Sequence, residues 1–168
     1  NATFFNPSGI TSDGTFFYVA DKKNHKIRQI EISTGDVTTL AGKGTPNTTD
    51  GTGTSAEFNH PSDITYHDGF LYVTDSKNHS IRKIVINTKE VSVFAGQSGT
   101  SGTANGSGNA ARFYYPSGIT YHNGYLYVAD TLNHVIKKIQ ISGGSITTLA
   151  GSSDEADFSG YGSIRYTC

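Results

Sequence analysis

Three copies of one short polar segment contain the residues of this sequence best suited to chemistry. In each copy an aspartate is followed three positions later by an asparagine and then directly by a histidine. A histidine close to a carboxylate and an amide is a residue set from which a general acid–base site could be built. The three sets are Asp21, Asn24 and His25; Asp75, Asn78 and His79; and Asp130, Asn133 and His134.

The recurrence of this segment favours a structural role, because a catalytic pair has no reason to return once per repeat at the same turn. We expect each aspartate to cap the turn, each asparagine to take a left-handed backbone, and each imidazole to pack and hydrogen-bond locally. The isoleucine two positions after each histidine lies three positions before the next core isoleucine. That spacing predicts a bulge or a late strand start.

A basic residue follows each histidine by three positions, and in two of the three repeats a lysine comes directly after it. Equivalent positions of successive repeats lie at one height, so these residues predict a basic arc for an acidic peptide, a glycan or an RNA backbone. The alternative is a solvated strand face whose lysines discourage aggregation. The residues are Arg28, Arg82, Lys83, Lys137 and Lys138.

The elements that position these residues are three long repeats, each opened by a proline. The repeats span residues 6–42, 60–96 and 115–151. Their opening prolines are 54 and then 55 residues apart, and a period near 50 built from strand-like segments predicts a propeller or related array. Each repeat reads as four strands, the first two joined by Asp-Gly or Asn-Gly, which suit a two-residue hairpin. These turn pairs are Asp13-Gly14, Asp68-Gly69 and Asn123-Gly124.

The two loops that join the repeats are rich in Gly, Thr, Ser and Asn, which is typical of flexible linkers. Both nevertheless end in an Ala-x-Phe motif. The motif consists of Ala56 with Phe58 in the first loop, and of Ala110 or Ala111 with Phe113 in the second. We expect this aromatic anchor to hold each loop between adjacent blades.

The sequence resembles the NHL-repeat family in its P-x-G-I opening, its "LYVAD" strand, its D-x-x-N-H-x-I-R-K-I core and its closing "TTLAG". In place of the family's leucine, Lys26, Ser80 and Val135 follow the histidines. The resemblance implies an all-β fold, a β-propeller of NHL-type four-stranded blades, with three blades and the start of a fourth. The predicted division is a lead-in at 1–5, blades with their loops at 6–58 and 59–113, a third blade at 114–151, and a further blade start or donated strand at 152–168.

Members of this family often have six blades, so three blades leave an open or partial propeller with uncovered faces and strand edges. Ala156-x-Phe158 and Gly162-Ser163-Ile164 match the next anchor and inner strand, although Tyr161 replaces the expected proline. We expect either a segment of a larger propeller or several copies that complete a ring or extend into a fibre.

The family implies protein or RNA binding, and a lyase branch implies a metal held by channel histidines. His60, His67 and His122 are the candidates here, but His67 and His122 flank a turn at which the first repeat has Ser12. A catalytic zinc needs about three converging protein ligands. We therefore predict no catalytic residue, no metal and no cofactor, and keep a lyase-like enzyme as the alternative.

Composition sets limits on the partners. Thirteen basic and fourteen acidic residues nearly cancel, which disfavours nucleic acid as a partner. Charged residues are only 16% of a sequence rich in Thr, Ser, Gly and Asn, which favours an extracellular or cell-surface domain. The only cysteine is Cys168, there is no methionine, and no apolar stretch is long enough for a membrane span. An excised or processed segment is the expectation.

Together these observations predict a non-catalytic interaction or assembly module. Its expected partners are other copies of itself or the remaining blades of a parent protein, with a protein or glycan as a further ligand. A subunit of a surface assembly or filament is one version of this function, and an RNA-binding NHL domain is the remaining alternative.

Overall fold

The computed structural model of the protein describes residues 2–152, which contain fourteen strands. The first repeat forms β1 (Pro7–Ser12), β2 (Phe16–Asp21), β3 (Lys26–Glu31) and β4 (Val37–Ala41). The second forms β5 (Gly51–Thr52), β6 (Pro61–His67), β7 (Phe70–Asp75), β8 (Ser80–Val85) and β9 (Glu90–Ala95). The third forms β10 (Gly106–Ser107), β11 (Pro116–His122), β12 (Tyr125–Asp130), β13 (Val135–Gln140) and β14 (Ser145–Gly151). The predicted all-β blades are confirmed, whereas the predicted blade start or donated strand after residue 152 lies outside the described residues.

Each repeat forms one antiparallel sheet in which strands follow chain order from the inside outward. The first sheet has four strands, and the other two gain a fifth strand from the preceding loop. β5 pairs with β9, and β10 pairs with β14, so each loop extends the outer edge of the blade that follows it. The division by sequence assigns these loops to the preceding blade and misses the short strands.

The first hairpin of each blade depends on its turn residues. Asp68 and Asn123 have φ values of 46° and 45°. The glycine after each of them also has a positive φ, as a two-residue type I′ turn requires. Blade 1 differs, because its strands begin to pair only at Ser12 and Phe17. Its hairpin loop is therefore longer than the two residues predicted around Asp13.

The blades pack face to face, with β1, β6 and β11 side by side as their innermost strands. The middle blade is consequently covered on both faces. Ile84 packs into the core shared with blade 1, whereas Ile81 packs into the core shared with blade 3. A spacing of three places the two side chains on opposite faces of a regular strand, so β8 itself has no bulge. The register shift predicted nearby lies instead on β9, opposite the step from Ile81 to Arg82.

The predicted aromatic anchors are confirmed. Phe58 is fully buried and packs with Ala56 among apolar residues of blades 1 and 2. Phe113 does the same between blades 2 and 3, where its alanine partner is the buried Ala111, while Ala110 is exposed. A loop that reads as linker is thus held at its end by burial of a whole aromatic side chain.

Among the described residues, no helix has the length and apolar character needed to cross a membrane.

Candidate functional site

The Asp-x-x-Asn-His segment forms the turn between the second and third strands of every blade. A single 3₁₀ turn is followed by a histidine in the left-handed conformation, with φ of 54° at His25, 55° at His79 and 58° at His134. The prediction that the asparagines adopt this conformation is wrong for Asn24, Asn78 and Asn133, which lie within the 3₁₀ turns.

The turn aspartates are buried acceptors, not caps. Asp75 makes no capping bond to its turn, and the same holds for Asp21 and Asp130. One oxygen of Asp75 accepts the backbone N–H of Asn59 at 2.7 Å, and the other accepts the Asn78 amide at 2.8 Å. The prediction of a cap is therefore wrong. The carboxylate faces the interior and binds the backbone just before β6, sixteen residues earlier in the chain.

The side-chain amide of each turn asparagine bonds to the segment of chain that leads into the same blade. The Asn78 amide donates to the Asn47 carbonyl at 2.7 Å, and the Asn133 amide donates to the Gly102 carbonyl at 2.7 Å. Asn24 makes the same contact with the Thr3 carbonyl at 3.3 Å. The amide thereby links the turn to a backbone segment that has no regular structure of its own.

The histidines hold the following blade, and not their own turn as predicted. Nδ1 of His25 accepts the backbone N–H of His60 at 3.2 Å, and Nδ1 of His79 accepts that of Tyr115 at 3.2 Å. An acceptor nitrogen must be unprotonated. Burial lowers the pKa of both His25 and His79, and burial together with Lys77 lowers the pKa of His60 to about 4. The His25 and His79 imidazoles are therefore neutral acceptors at pH 7.

The basic residue of blade 2 lies inside the protein. Arg82 is fully buried, and one guanidinium nitrogen donates to Asp75 at 3.2 Å and to the Glu57 carbonyl at 2.9 Å. The other nitrogen donates to Asp50 at 2.6 Å and to the Thr49 carbonyl at 3.2 Å. A single cation therefore joins the buried turn aspartate to the incoming loop.

In blade 3 a lysine occupies the position of Arg82 and joins the turn aspartate to the incoming loop. Lys137 is fully buried, with its ammonium 4.0 Å from Asp130 and at 2.9 and 3.1 Å from the carbonyls of Thr103 and Ala104. Asn105, which occupies the position of Asp50, accepts from the same ammonium at 3.4 Å. The guanidinium of blade 2 is matched by a second carboxylate, and the ammonium of blade 3 by an amide.

The predicted basic arc is wrong for Arg28, Arg82 and Lys137, because their side chains are buried against the turn aspartates and are not offered to a ligand. The error arises because the segment of chain that enters each blade lies over the cation, as the loop carbonyls bonded to Arg82 and Lys137 and the Phe4 ring beside Arg28 show. Lys83 and Lys138 are half-buried, and each ammonium lies 3.8 Å from the centre of an aromatic ring of its own blade.

The histidines considered for a metal do not converge. His60 directly precedes β6 and His67 ends it, so seven residues of extended chain, about 20 Å, separate them. The His67 ring stacks on Tyr121 at 3.8 Å, and His122 is exposed at the end of β11 in the next blade. Within residues 2–152, no three His, Cys, Asp or Glu side chains are grouped so as to hold a metal ion.

The remaining candidate surface is the pair of blade faces at the ends of the arc. We call the side of a blade toward the preceding repeat its leading face, and the other side its trailing face. On the leading face of blade 1, Ile10 is 60% exposed and Phe17 is 37% exposed, whereas their blade 2 equivalents Ile64 and Leu71 are 2% and 0% exposed. A cavity of about 330 Å³ lies on this face, between the first residues of β1 (7–10) and Val19 of β2.

The trailing face of blade 3 is uncovered in the same way. Ile136 is 38% exposed and Leu149 is 55% exposed. Their equivalents in blade 1, Ile27 and Leu40, are 0% and 2% exposed because blade 2 covers them. Both ends of the arc therefore present apolar side chains at positions that are buried or half-buried where a neighbouring blade covers them.

The first few residues also contain an anchor that the sequence division treats as a lead-in. Ala2 and Phe4 have the Ala-x-Phe spacing, and Phe4 precedes Pro7 by three positions, as Phe58 precedes Pro61. The Phe4 ring lies 5.5 Å from the Arg28 guanidinium, and the Phe58 ring lies 5.2 Å from that of Arg82. The three-residue spacing to the proline is the signal that could have identified it.

These features define a β-propeller domain whose blades are linked by Asp-Asn-His turns. A family profile for a repeat of unknown function (DUF6923) matches residues 5–118. The chain is 36% identical over 155 residues to protein SUPPRESSOR OF QUENCHING 1, chloroplastic, of Arabidopsis thaliana, which covers 84% of this chain. It is 41% identical over 98 residues to NHL repeat-containing protein 2 of Homo sapiens, which covers 55% of this chain. The matched segment spans 14% of the length of each relative.

A solved structure with the same architecture is an auxiliary nutrient binding protein from Bacteroides thetaiotaomicron, with a TM-score of 0.69 and 25% identity. The match covers 84% of this chain and 36% of that one. The chain belongs to the DUF6923 repeat family, and its repeats are of the NHL β-propeller type. The chain thus spans about a third of the length of this solved structure.

Proposed function

We propose that the protein is a non-catalytic interaction module, which binds partner proteins through the uncovered leading face of blade 1 and trailing face of blade 3. The observation that carries this proposal is the contrast between Ile10 at 60% exposure and its middle-blade equivalent Ile64 at 2%. Burying a side chain of this kind stabilises an interface by about 1.5–3 kcal/mol. Several such side chains on each face provide the driving force for association.

The partner that fits these faces best is another blade of the same repeat type. Within the chain, each face of blade 2 is covered by a neighbouring blade together with the loop anchor that lies between them. The recurrent polar residues do not offer a competing site, because the turn aspartates and their cations are consumed by bonds within and between blades. This use of the histidines and cations also supports a binding role over a lyase-like or an RNA-binding one.

A photo-crosslinking amino acid at position 149 of the protein in its natural host tests the proposal. We expect crosslinks to the leading face of an NHL-type blade, identified by mass spectrometry. The matched control is position 132, because Leu132 is 44% exposed but lies in the turn, where the other two repeats have lysine. Crosslinks that are absent at 149, or that are the same from 149 and 132, would refute the proposal.

We also propose an extracellular or cell-surface location, supported by the low charged fraction of 16% and the Thr, Ser, Gly and Asn content. Protease protection in intact cells tests it. Full digestion of the protein by external protease is expected, and protection until the cells are lysed would contradict the proposal.

A further inference from the structure

The trailing face of blade 3 has the same residue types as the trailing face of blade 1, which blade 2 covers. On blade 1 this face consists of Tyr18, Ala20, Ile27, Leu40 and Ala41, all buried. The equivalent residues of blade 3 are Tyr127, Ala129, Ile136, Leu149 and Ala150. The two faces are thus identical in type and order at all five positions, although only one of them is covered.

The leading face of blade 1 resembles the face of blade 2 that packs on this surface. Ile10, Val19 and Ile30 repeat the buried Ile64, Val73 and Ile84. The anchor is repeated as well, because Phe4 stands where Phe58 fills the interface between blades 1 and 2. A blade like blade 1 would therefore bury its leading face on a surface like that of blade 3.

The backbone that would connect these two faces already has the required conformation. His60 and Tyr115, whose N–H groups are received by the histidine of the preceding blade, have φ of 58° and 56°. Asn6, at the same position of blade 1, has φ of 57°. His134 has the left-handed backbone of the other two acceptor histidines and is exposed. The donor at one end of the arc and the acceptor at the other are complementary.

We infer that the leading face of blade 1 packs on the trailing face of blade 3 of a second copy of this chain, head to tail. This inference rests on the proposed function and names the partner. The interface is heterologous, so two copies would make it twice and close a ring of about six blades, within the usual range for propellers. His134 of each copy would accept the N–H of Asn6 of the other.

The test is the mass of the purified full chain, measured by light scattering, together with two variants that each disable one face. Ile10→Glu places a charge on the leading face, and Leu149→Glu places one on the trailing face. We expect the wild-type chain to be a dimer and each variant alone to be a monomer. Mixing the two variants should restore a dimer through the one intact interface, with weaker affinity. Leu132→Glu is the control and should remain dimeric.

A second variant keeps the fold intact and tests the close approach of the blades. A methyl group on Gly9 would lie 2.5 Å from Asp63 Cα of the next blade, whereas a methyl group on the equivalent Gly118 would have its nearest neighbour, Ala129 Cβ, at 3.5 Å. Gly118→Ala should therefore leave the monomer unchanged and weaken the dimer at least tenfold.

The outcomes separate this inference from the proposed function. A wild-type monomer at all concentrations would overturn the second copy as partner, while crosslinks from position 149 to a blade of another chain, or to another blade of the same chain, would still support the interaction faces. A dimer that survives in only one of the two charge variants would indicate contact between like faces and would overturn the head-to-tail arrangement.

Discussion

The buried cation of blade 2 permits a quantitative prediction. Arg82→Leu would leave the Asp75 carboxylate without its cation and would remove the donors to the Thr49 and Glu57 carbonyls. Removing one partner of a buried ion pair costs about 3–5 kcal/mol. The second ion pair adds little, about 0.2–1 kcal/mol, because the Asp50 side chain is 53% exposed. We expect a loss of about 3–5 kcal/mol in the free energy of unfolding.

Blade 3 supplies the matched control for this experiment, since Lys137 occupies the same position with the same aspartate and loop carbonyls. Arg82→Lys keeps the charge and loses one or two hydrogen bonds, each contributing about 0.5–1.5 kcal/mol, so a loss of about 1–2 kcal/mol is expected. Asp50→Asn reproduces Asn105 of blade 3 and should cost less than about 1 kcal/mol.

Urea unfolding at pH 7, followed by circular dichroism, measures these differences. With an m-value of about 2 kcal/mol/M, Arg82→Leu should lower the midpoint by about 2 M and Arg82→Lys by less than about 1 M. Adding Asp75→Asn to Arg82→Leu should recover part of the loss, because the amide is less costly to bury than an uncompensated carboxylate. Equal losses for the lysine and leucine variants, or a leucine variant within 1 kcal/mol of wild type, would refute the structural role of the charge.

Two further results are expected. Gly9→Ala should destabilise the chain by about 1–3 kcal/mol through overpacking against Asp63 in a thermal unfolding scan, and an unchanged Tm would contradict the close contact between the inner strands. The native state resists protonation of His60, whose folded pKa of about 4 lies below its unfolded value of 6.5, so the stability that it contributes is complete above pH 6.5 and falls as the pH drops toward 4. The midpoint difference between wild type and His60→Asn, measured from pH 7.5 to 5, isolates this contribution from the carboxylates common to both, and a difference independent of pH would contradict it.

Much of the blade could be predicted from the sequence, because each signal there is local. The Asp68-Gly69 pair specifies a tight hairpin whatever surrounds it, and the structure gives it the expected positive φ. The anchor Phe58 could be recognised because a large aromatic side chain at the end of a polar, Gly-rich loop is most stable when it is buried in a core. Both predictions depend on a few consecutive residues and need no knowledge of the neighbouring blade.

The buried cations could not be placed by the same reasoning. A strand of a half-buried sheet alternates polar and apolar residues, and Arg82 followed by Lys83 reads as a solvated segment. In the middle blade both faces are covered, and a charge is tolerated only because Asp75 lies seven positions earlier. That seven-residue spacing recurs between Asp21 and Arg28, and could have indicated three internal ion pairs. Blade 2 has Asp50 and an arginine where blade 3 has Asn105 and a lysine. This paired change also indicates that the loop residue and the cation are in contact.

All three turns have the same Asp, Asn and His because these residues form their bonds to other segments through side-chain atoms. Asp75, Asn78 and His79 all make their cross-links through side-chain atoms, so changing any one of them removes a bond. In these three bonds the partners contribute only a backbone N–H or carbonyl, and neither group depends on residue type. The N–H received by the histidine accordingly belongs to His60 in one place and to Tyr115 in the other. The Asp-x-x-Asn-His motif thus repeats because it joins blades and loops, and the residues it holds vary because their side chains take no part.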